Sequence, residues 1–423
     1  VEKKERDCEN SDAKRIIEEV KQLGKWIILG IVTGCIVGVV SSAFAWSLAA
    51  VTQFRMAHAA VFYLLPLFGV GIVFMYRKFG KNDGGTNQIL AAIRSEDDVL
   101  FRSAPLIFLS TSLTHLGGAS AGREGAALQL GGSIANQIGK WVHLDEADRH
   151  MMVMCGMSAA FAALFGTPMA AAVFSLEVTS IGVMYYAALM PNVIAALLAS
   201  QIALALGVHA EAFHIMHVPD FTVGAGMKMI VVAAACAVIS MVFCMTLKYM
   251  GQLYGRWLIN PYVRVVCASL VIIAVTSVLG TPDYMGAGTG LIQRAVEQGE
   301  VRYLDFFWKL LLTAVTMKAG FKGGEIVPAF CVGATFGCLM GELVGISPSL
   351  CAAVGMISVF CGATNCPITS ILIAFELFGY TGESFFLIAV AVSYAFSGHY
   401  SLYKEQRIVY SKYKAKYVND RTR

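Results

Sequence analysis

Charge is scarce in this sequence. Only 14% of its 423 residues are Asp, Glu, Lys or Arg, where a soluble chain carries about a quarter. With 57% hydrophobic residues and a mean hydropathy of +0.66, this composition excludes a soluble globular protein and indicates a polytopic membrane protein. Other signatures are missing too. No HExxH or P-loop is present, so neither a zincin nor an ATP-driven pump has its essential motif. No CxxC occurs, and ten of the eleven cysteines sit within or beside apolar runs, Cys35, Cys155, Cys244 and Cys361 among them. They read as small packing residues rather than disulfides or metal ligands. Nothing calls for a cofactor or a metal.

What is present is a succession of twelve apolar stretches between residues 26 and 402. Several reach the roughly 20 residues that cross a bilayer. Others are shorter and contain glycine or proline, the mark of helices that stop part-way through. Seven Lys and Arg lie in residues 1–25 and seven in 403–423, which places both termini in the cytoplasm with an even number of crossings between them. The long charged segment before the first span does not resemble a cleaved signal peptide. The formal charge of +4 is concentrated in these flanks, so it orients the chain in the lipid bilayer and gives no reason to invoke nucleic acid.

An internal repeat organises the sequence. A shift of 202 residues aligns Gly118 with Gly320, Gly122 with Gly324, Gly131 with Gly333 and Gly139 with Gly341. Gly166-Thr167-Pro168-Met169 leads to Glu177, and Asn365-Cys366-Pro367-Ile368 leads to Glu376; in both, glutamate follows proline by nine residues across an apolar helix. The expected organisation is a cytoplasmic segment (1–25), a first membrane repeat (26–208), a linker (209–224), a second repeat (225–402) and a basic cytoplasmic tail (403–423). Glu177 and Glu376 close apolar helices and read as helix caps or local pairs. Gly30, Gly34 and Gly38 read as helix-packing glycines.

Within this frame one motif concentrates chemistry: Gly122-Arg123-Glu124-Gly125-Ala126 wedges a carboxylate between glycines at the start of an apolar segment. Glycine uncovers backbone amides, and a helix start leaves its first amides unpaired and directed at an anion. An ionisable group in such a place is a functional candidate. Two further glycine-rich loops, Asp83-Gly84-Gly85-Thr86-Asn87 and Gly323-Gly324-Glu325-Ile326-Val327-Pro328, complete three that would converge where half-helices meet, forming an anion site from amides without a fixed cation. Arg123 reads as a partner of Glu124 that steadies the loop.

At these residues the chain resembles the CLC family of chloride channels and anion/proton exchangers, over nearly the whole membrane region. Gly122-Arg123-Glu124-Gly125 matches the family's gating-glutamate loop, Gly324-Glu325-Ile326-Val327-Pro328 its GxFxP loop, and Gly84 stands where the first filter loop has serine. Ile326 replaces phenylalanine, Glu325 is an additional acid, and Val178 stands where proton-coupled members carry an inner glutamate. The combination resembles the fluoride-exporting subgroup, although Val327 occupies a position where that subgroup has threonine.

The resemblance implies an all-α membrane protein built as two inverted-repeat halves of broken and tilted helices. It also implies a homodimer with one pathway per subunit, in a bacterial plasma membrane. The implied function is fluoride/proton antiport, with export driven by inward proton movement. Glu124 would be the gate and Glu325 a second proton group; the implied anion site is Gly84, Gly85, Thr86, Asn87, Gly122, Arg123, Gly125, Ile326, Val327 and a tyrosine. For the tyrosine Tyr400 is chosen over Tyr403. Fluoride is small and strongly hydrated, so close amide donors must replace its water. Proton coupling needs a buried carboxylate that competes with the anion. A chloride/proton exchanger and a passive anion channel are the alternatives. Gly118-Ala119-Ser120-Ala121-Gly122 formally matches a GxSxG nucleophile elbow, but without the strand that motif requires, so hydrolysis at Ser120 is a remote alternative and the chain is read as no enzyme. His209, His214 and His217 read as a solvated loop rather than a metal site.

Overall fold

The computed structural model describes residues 2–80, 84–94, 99–414 and 416–422, with side chains from residue 14 onward. Asp83 lies outside the described residues. Eight α-helices precede the linker. They are α1 (Glu2–Ala57), α2 (Leu65–Phe79), α3 (Thr86–Ala92) and α4 (Ser103–Leu116), then α5 (Glu124–Trp141), α6 (Glu146–Phe165), α7 (Pro168–Glu177) and α8 (Leu189–Ala205). Eight more follow it. They are α9 (Val223–Trp257), α10 (Pro261–Leu279), α11 (Thr289–Gln293) and α12 (Asp305–Ala319), then α13 (Ile326–Val344), α14 (Pro348–Thr364), α15 (Pro367–Phe378) and α16 (Glu383–Phe396). Six helical spans are long and apolar enough to cross a membrane among the described residues, while α7, α14, α15 and α16 are apolar but shorter.

The local sequence sets the breaks. Pro168, Pro348 and Pro367 sit at the first helical position of α7, α14 and α15, where a missing N–H costs nothing and a fixed φ favours the helix. Gly166 and Asn365, both left-handed, end α6 and α14. The repeated glycines have a packing reason. A Cβ on Gly131 would overlap the Gly156 carbonyl where α5 crosses α6, and one on Gly333 would overlap the Gly355 carbonyl where α13 crosses α14. A Cβ on Gly34 or Gly38 of α1 would stand 2.9 Å from the backbone of Ala195 or Ala199 of α8. Gly333→Ala is therefore expected to destabilise the protein by about 1–3 kcal/mol, the range for overpacking a close contact, read as a lower thermal midpoint in detergent.

The two halves are related by a two-fold axis, and their reciprocal contacts show it. The Glu376 carboxylate accepts hydrogen bonds from the amides of Met169 and Ala170 at the start of α7, both 2.9 Å. The Glu177 carboxylate accepts from the amides of Ile368 and Thr369 at the start of α15, at 3.0 and 2.9 Å, and from the Thr369 hydroxyl at 2.6 Å. Each helix thus ends on a glutamate that caps the other repeat's helix, as a negative group at an N-terminus should. Mutual capping requires α7 and α15 to run antiparallel, so the repeats are inverted.

One departure from an all-helical chain occurs at its end. Ser180–Ile181 (β1) pairs in parallel with Arg407–Tyr410 (β2), which pairs antiparallel with Tyr417–Arg421 (β3). The tail is therefore tied into the first repeat rather than trailing as a free basic segment.

Candidate anion and proton site

The loops that the repeat aligns also touch. The Gly122 amide donates to the Gly324 carbonyl and the Gly324 amide to the Gly122 carbonyl, each at 2.8 Å, a reciprocal bridge lying on the two-fold axis. From it α5 and α13 diverge, so two helix N-termini begin at one point. Thr86 adds the third loop: its hydroxyl donates to the Gly125 carbonyl at 3.2 Å and accepts from Gln129 Nε2 at 3.1 Å.

Glu124 lies at this junction and is completely buried. Its Oε2 accepts from the Arg123 amide at 3.0 Å, so the carboxylate is folded back onto the start of its own helix. Oε1 accepts no hydrogen bond; its ion-pair partner, Arg123 Nε, is 3.6 Å away. Glycine is required around it. A Cβ on Gly122 would stand 2.5 Å from Glu124 Oε2, and one on Gly324 would stand 2.5 Å from the Gly125 amide nitrogen. A side chain at Gly122 would enter the space the carboxylate occupies, and one at Gly324 would collide with the backbone that starts α5. Arg123 also binds Glu211 of the linker at 2.6 Å and the Leu164 carbonyl at 3.3 Å.

Glu325 caps no helix with its side chain. It pairs with Lys318 at 3.7 Å and keeps 17% of its side chain exposed. Two cavities flank the junction. One, of about 500 Å³, is lined by Arg55, His115, Arg123 and Glu211; the other, of about 530 Å³, by Cys244, Lys318, Ser401 and Glu405. They lie on opposite faces, because α9 starts from the linker that carries Glu211 and has run through most of its length by Cys244.

The remaining sequence candidates divide. Gly125, Ile326 and Val327 are buried at the junction. Gly85 is left-handed at φ 69° and precedes α3, Gly84 donates to Gln88 at 2.9 Å, and Asn87 buries an Oδ1 that accepts no hydrogen bond. The structure places the two tyrosines, Tyr400 and Tyr403, differently, with Tyr400 the more exposed. Its ring is half-buried against Gly398, whereas Tyr403 is buried and within electrostatic reach of both Glu124 and Glu325. The reason lies in the tail: the Tyr403 carbonyl accepts from Thr422 Oγ1 at 2.9 Å and the Gln406 amide at 3.2 Å, while its amide donates to Ser401 Oγ. Buried Gln406 in turn donates to the carbonyls of Val178 and Thr364, one from each repeat.

Sequence reasoning missed Gln129, Gln406, Glu211 and Lys309. Lys309 is fully buried, with its ammonium on the carbonyls of Tyr284 (3.1 Å) and Gly286 (2.6 Å) behind the Arg123-side cavity. A lone Gln or Lys inside an apolar helix was the available signal for Gln129 and Lys309. The histidines form no metal cluster: no group of three or more His, Cys, Asp and Glu close enough to hold an ion occurs among the described residues. The Ser120 hydroxyl shares a hydrogen bond with Thr313 at 3.0 Å, and its amide donates to Thr316 Oγ1 at 3.2 Å. Ser120→Ala should leave anion flux within about twofold of wild type, since one neutral hydrogen bond contributes only about 1 kcal/mol; a flux assay in liposomes checks it.

Inverted repeats of broken helices, meeting at paired glycine loops around a buried carboxylate, define a membrane anion-transport protein. The chain belongs to the voltage-gated chloride channel family, whose model matches residues 68–398. A chloride/fluoride channel protein of Pseudomonas syringae pv. tomato is 34% identical over 399 residues, covering 92% of this chain and 88% of its own length. The crystal structure of a CLC-type fluoride/proton antiporter matches with a TM-score of 0.87 at 34% identity, over 91% of this chain and 98% of that one. A slow cyanobacterial Cl-/H+ antiporter shares the fold at 19% identity, with a TM-score of 0.76 over 88% and 94% of the two chains.

Proposed function

We propose that the protein is a fluoride/proton antiporter of the bacterial plasma membrane, exporting fluoride on inward proton movement. The observation that carries the reading is the Glu124 carboxylate, folded onto the α5 N-terminus with Oε1 free of hydrogen bonds. Charged, it takes the place an anion would take on those amides; protonated, it leaves them to the anion. One site thereby serves two ions that exclude each other, which is the requirement for exchange. The kinship to proteins named for fluoride supports the choice of anion, as does Gly84 at the position where a filter serine would ligate chloride. The anion would be held by amides of Arg123, Gly125, Ile326 and Val327, with Gly122, whose own amide is bonded to Gly324, and Gly85, Thr86 and Asn87 shaping the walls. Tyr403, in place of Tyr400, would supply the hydroxyl, and Arg123 would steady the gate.

Glu325 would take the second proton position, and its part-exposed pairing with Lys318 supports this. A homodimer with both termini in the cytoplasm completes the reading, and transport rather than catalysis is the activity. Reconstituted liposomes with fluoride and proton electrodes test it. Fluoride efflux should move protons in the opposite direction and exceed chloride flux; a fluoride-to-chloride ratio near one would favour a chloride exchanger.

A further inference from the structure

We propose that Lys318 is the positioning residue for Glu325: its ammonium holds the carboxylate toward the cavity beside the tail and so governs proton exchange with that face. This rests on the fluoride/proton reading and adds to it the route by which the second carboxylate meets water.

The two central glutamates each contact one cation, and the cations belong to opposite cavities. Arg123 lies 3.6 Å from Glu124 and lines one; Lys318 lies 3.7 Å from Glu325 and lines the other. The pairs differ in what else holds them. Arg123 is fixed by Glu211 and the Leu164 carbonyl. Lys318 has no other ion pair or side-chain hydrogen bond among the described residues, and 30% of its side chain is exposed. A lysine on a flexible stem with one partner follows that partner or releases it, which a forked and doubly anchored arginine does not.

Lys318 links Glu325 to the cavity beside the tail, which Lys318 lines and Glu325 does not. Lys318 ends α12, Glu325 begins α13, and the cavity of about 530 Å³ that Lys318 lines is also bounded by Lys248, Lys404, Glu405 and Arg421. Three groups lie within electrostatic reach of Glu325: Lys318 from α12, the Cys244 thiol from α9 and the Tyr403 hydroxyl from the tail. Lys318 is the only cation of the three. Without it the carboxylate would have only a thiol and a phenol near it and no cation to hold it in place.

The test uses the full chain in liposomes, comparing Lys318→Gln, Lys318→Arg, Glu325→Gln and the Lys318→Gln/Glu325→Gln pair. Fluoride efflux is followed against pH, together with protons moved per fluoride. Lys318→Gln should slow proton-coupled fluoride exchange about threefold, less than removal of Glu325 itself, because the carboxylate is still present but no longer held in position. Lys318→Arg should restore the wild-type rate, and Lys318→Gln should add nothing in the Glu325→Gln background. Lys318→Met, which keeps the apolar stem, replaces the glutamine variant should that variant fold poorly. An unchanged rate in Lys318→Gln beside an impaired Glu325→Gln overturns the role of Lys318 and leaves that of Glu325. Normal coupled exchange in Glu325→Gln overturns both.

Discussion

Glu124→Gln is expected to abolish proton movement while fluoride still passes. Glutamine keeps the shape of the protonated acid but neither gains nor loses a proton, and it carries no charge to compete for the α5 amides. The gate then stays in its open state, and fluoride runs down its gradient uncoupled. Loss of a positioned proton-transfer group costs at least about a hundredfold, so proton flux should fall to the background of empty liposomes. Structural damage is not the expected cause. Oε2 has one amide donor and Oε1 has no hydrogen bond, so an isosteric amide fits the same space between Gly122 and Gly324. Parallel fluoride and proton electrode traces separate this outcome from simple inactivation, which would silence both.

Glu325→Gln is expected to slow coupled exchange about tenfold, equivalent to about 1.4 kcal/mol in the limiting barrier. The effect is smaller because Glu325 does not occupy the buried junction. It stands at the edge, part-exposed and paired with Lys318, where it relays protons to a gate that still responds to them. Coupling should therefore fall in rate before it falls in ratio. Exchange at the wild-type rate and ratio would remove the reason for giving this residue a proton role.

Much of the arrangement was legible in the sequence because symmetry duplicates its signals. Gly122 and Gly324 align by the repeat and pair in space for one reason: an axis between two halves brings equivalent residues together. Glu177 and Glu376 could be read as helix caps from their place nine residues after proline. That each caps the other repeat could not, since nothing local links residues 191 positions apart. The choice between the tyrosines was not legible for a related reason. Tyr394, Tyr400, Tyr403 and Tyr410 crowd one end of the chain, and their spacing does not rank them. Burial of Tyr403 goes with hydrogen bonds to Ser401 and from Gln406 and Thr422, and the strands that deliver Thr422 are too short for any alternating pattern. Lys318 escaped notice because its partner lies across a glycine-rich turn, off the spacing that pairs charges on one helix.

Coupling of the two ions is the central claim, and uphill proton movement tests it most directly. Liposomes holding the wild-type protein are loaded with fluoride and placed in fluoride-free buffer at equal pH, with membrane potential clamped. Fluoride leaving should drive protons inward against the gradient they create, acidifying the lumen until the two forces balance. Fluoride efflux with no proton movement above that of protein-free liposomes would contradict the account and make the protein a passive anion channel.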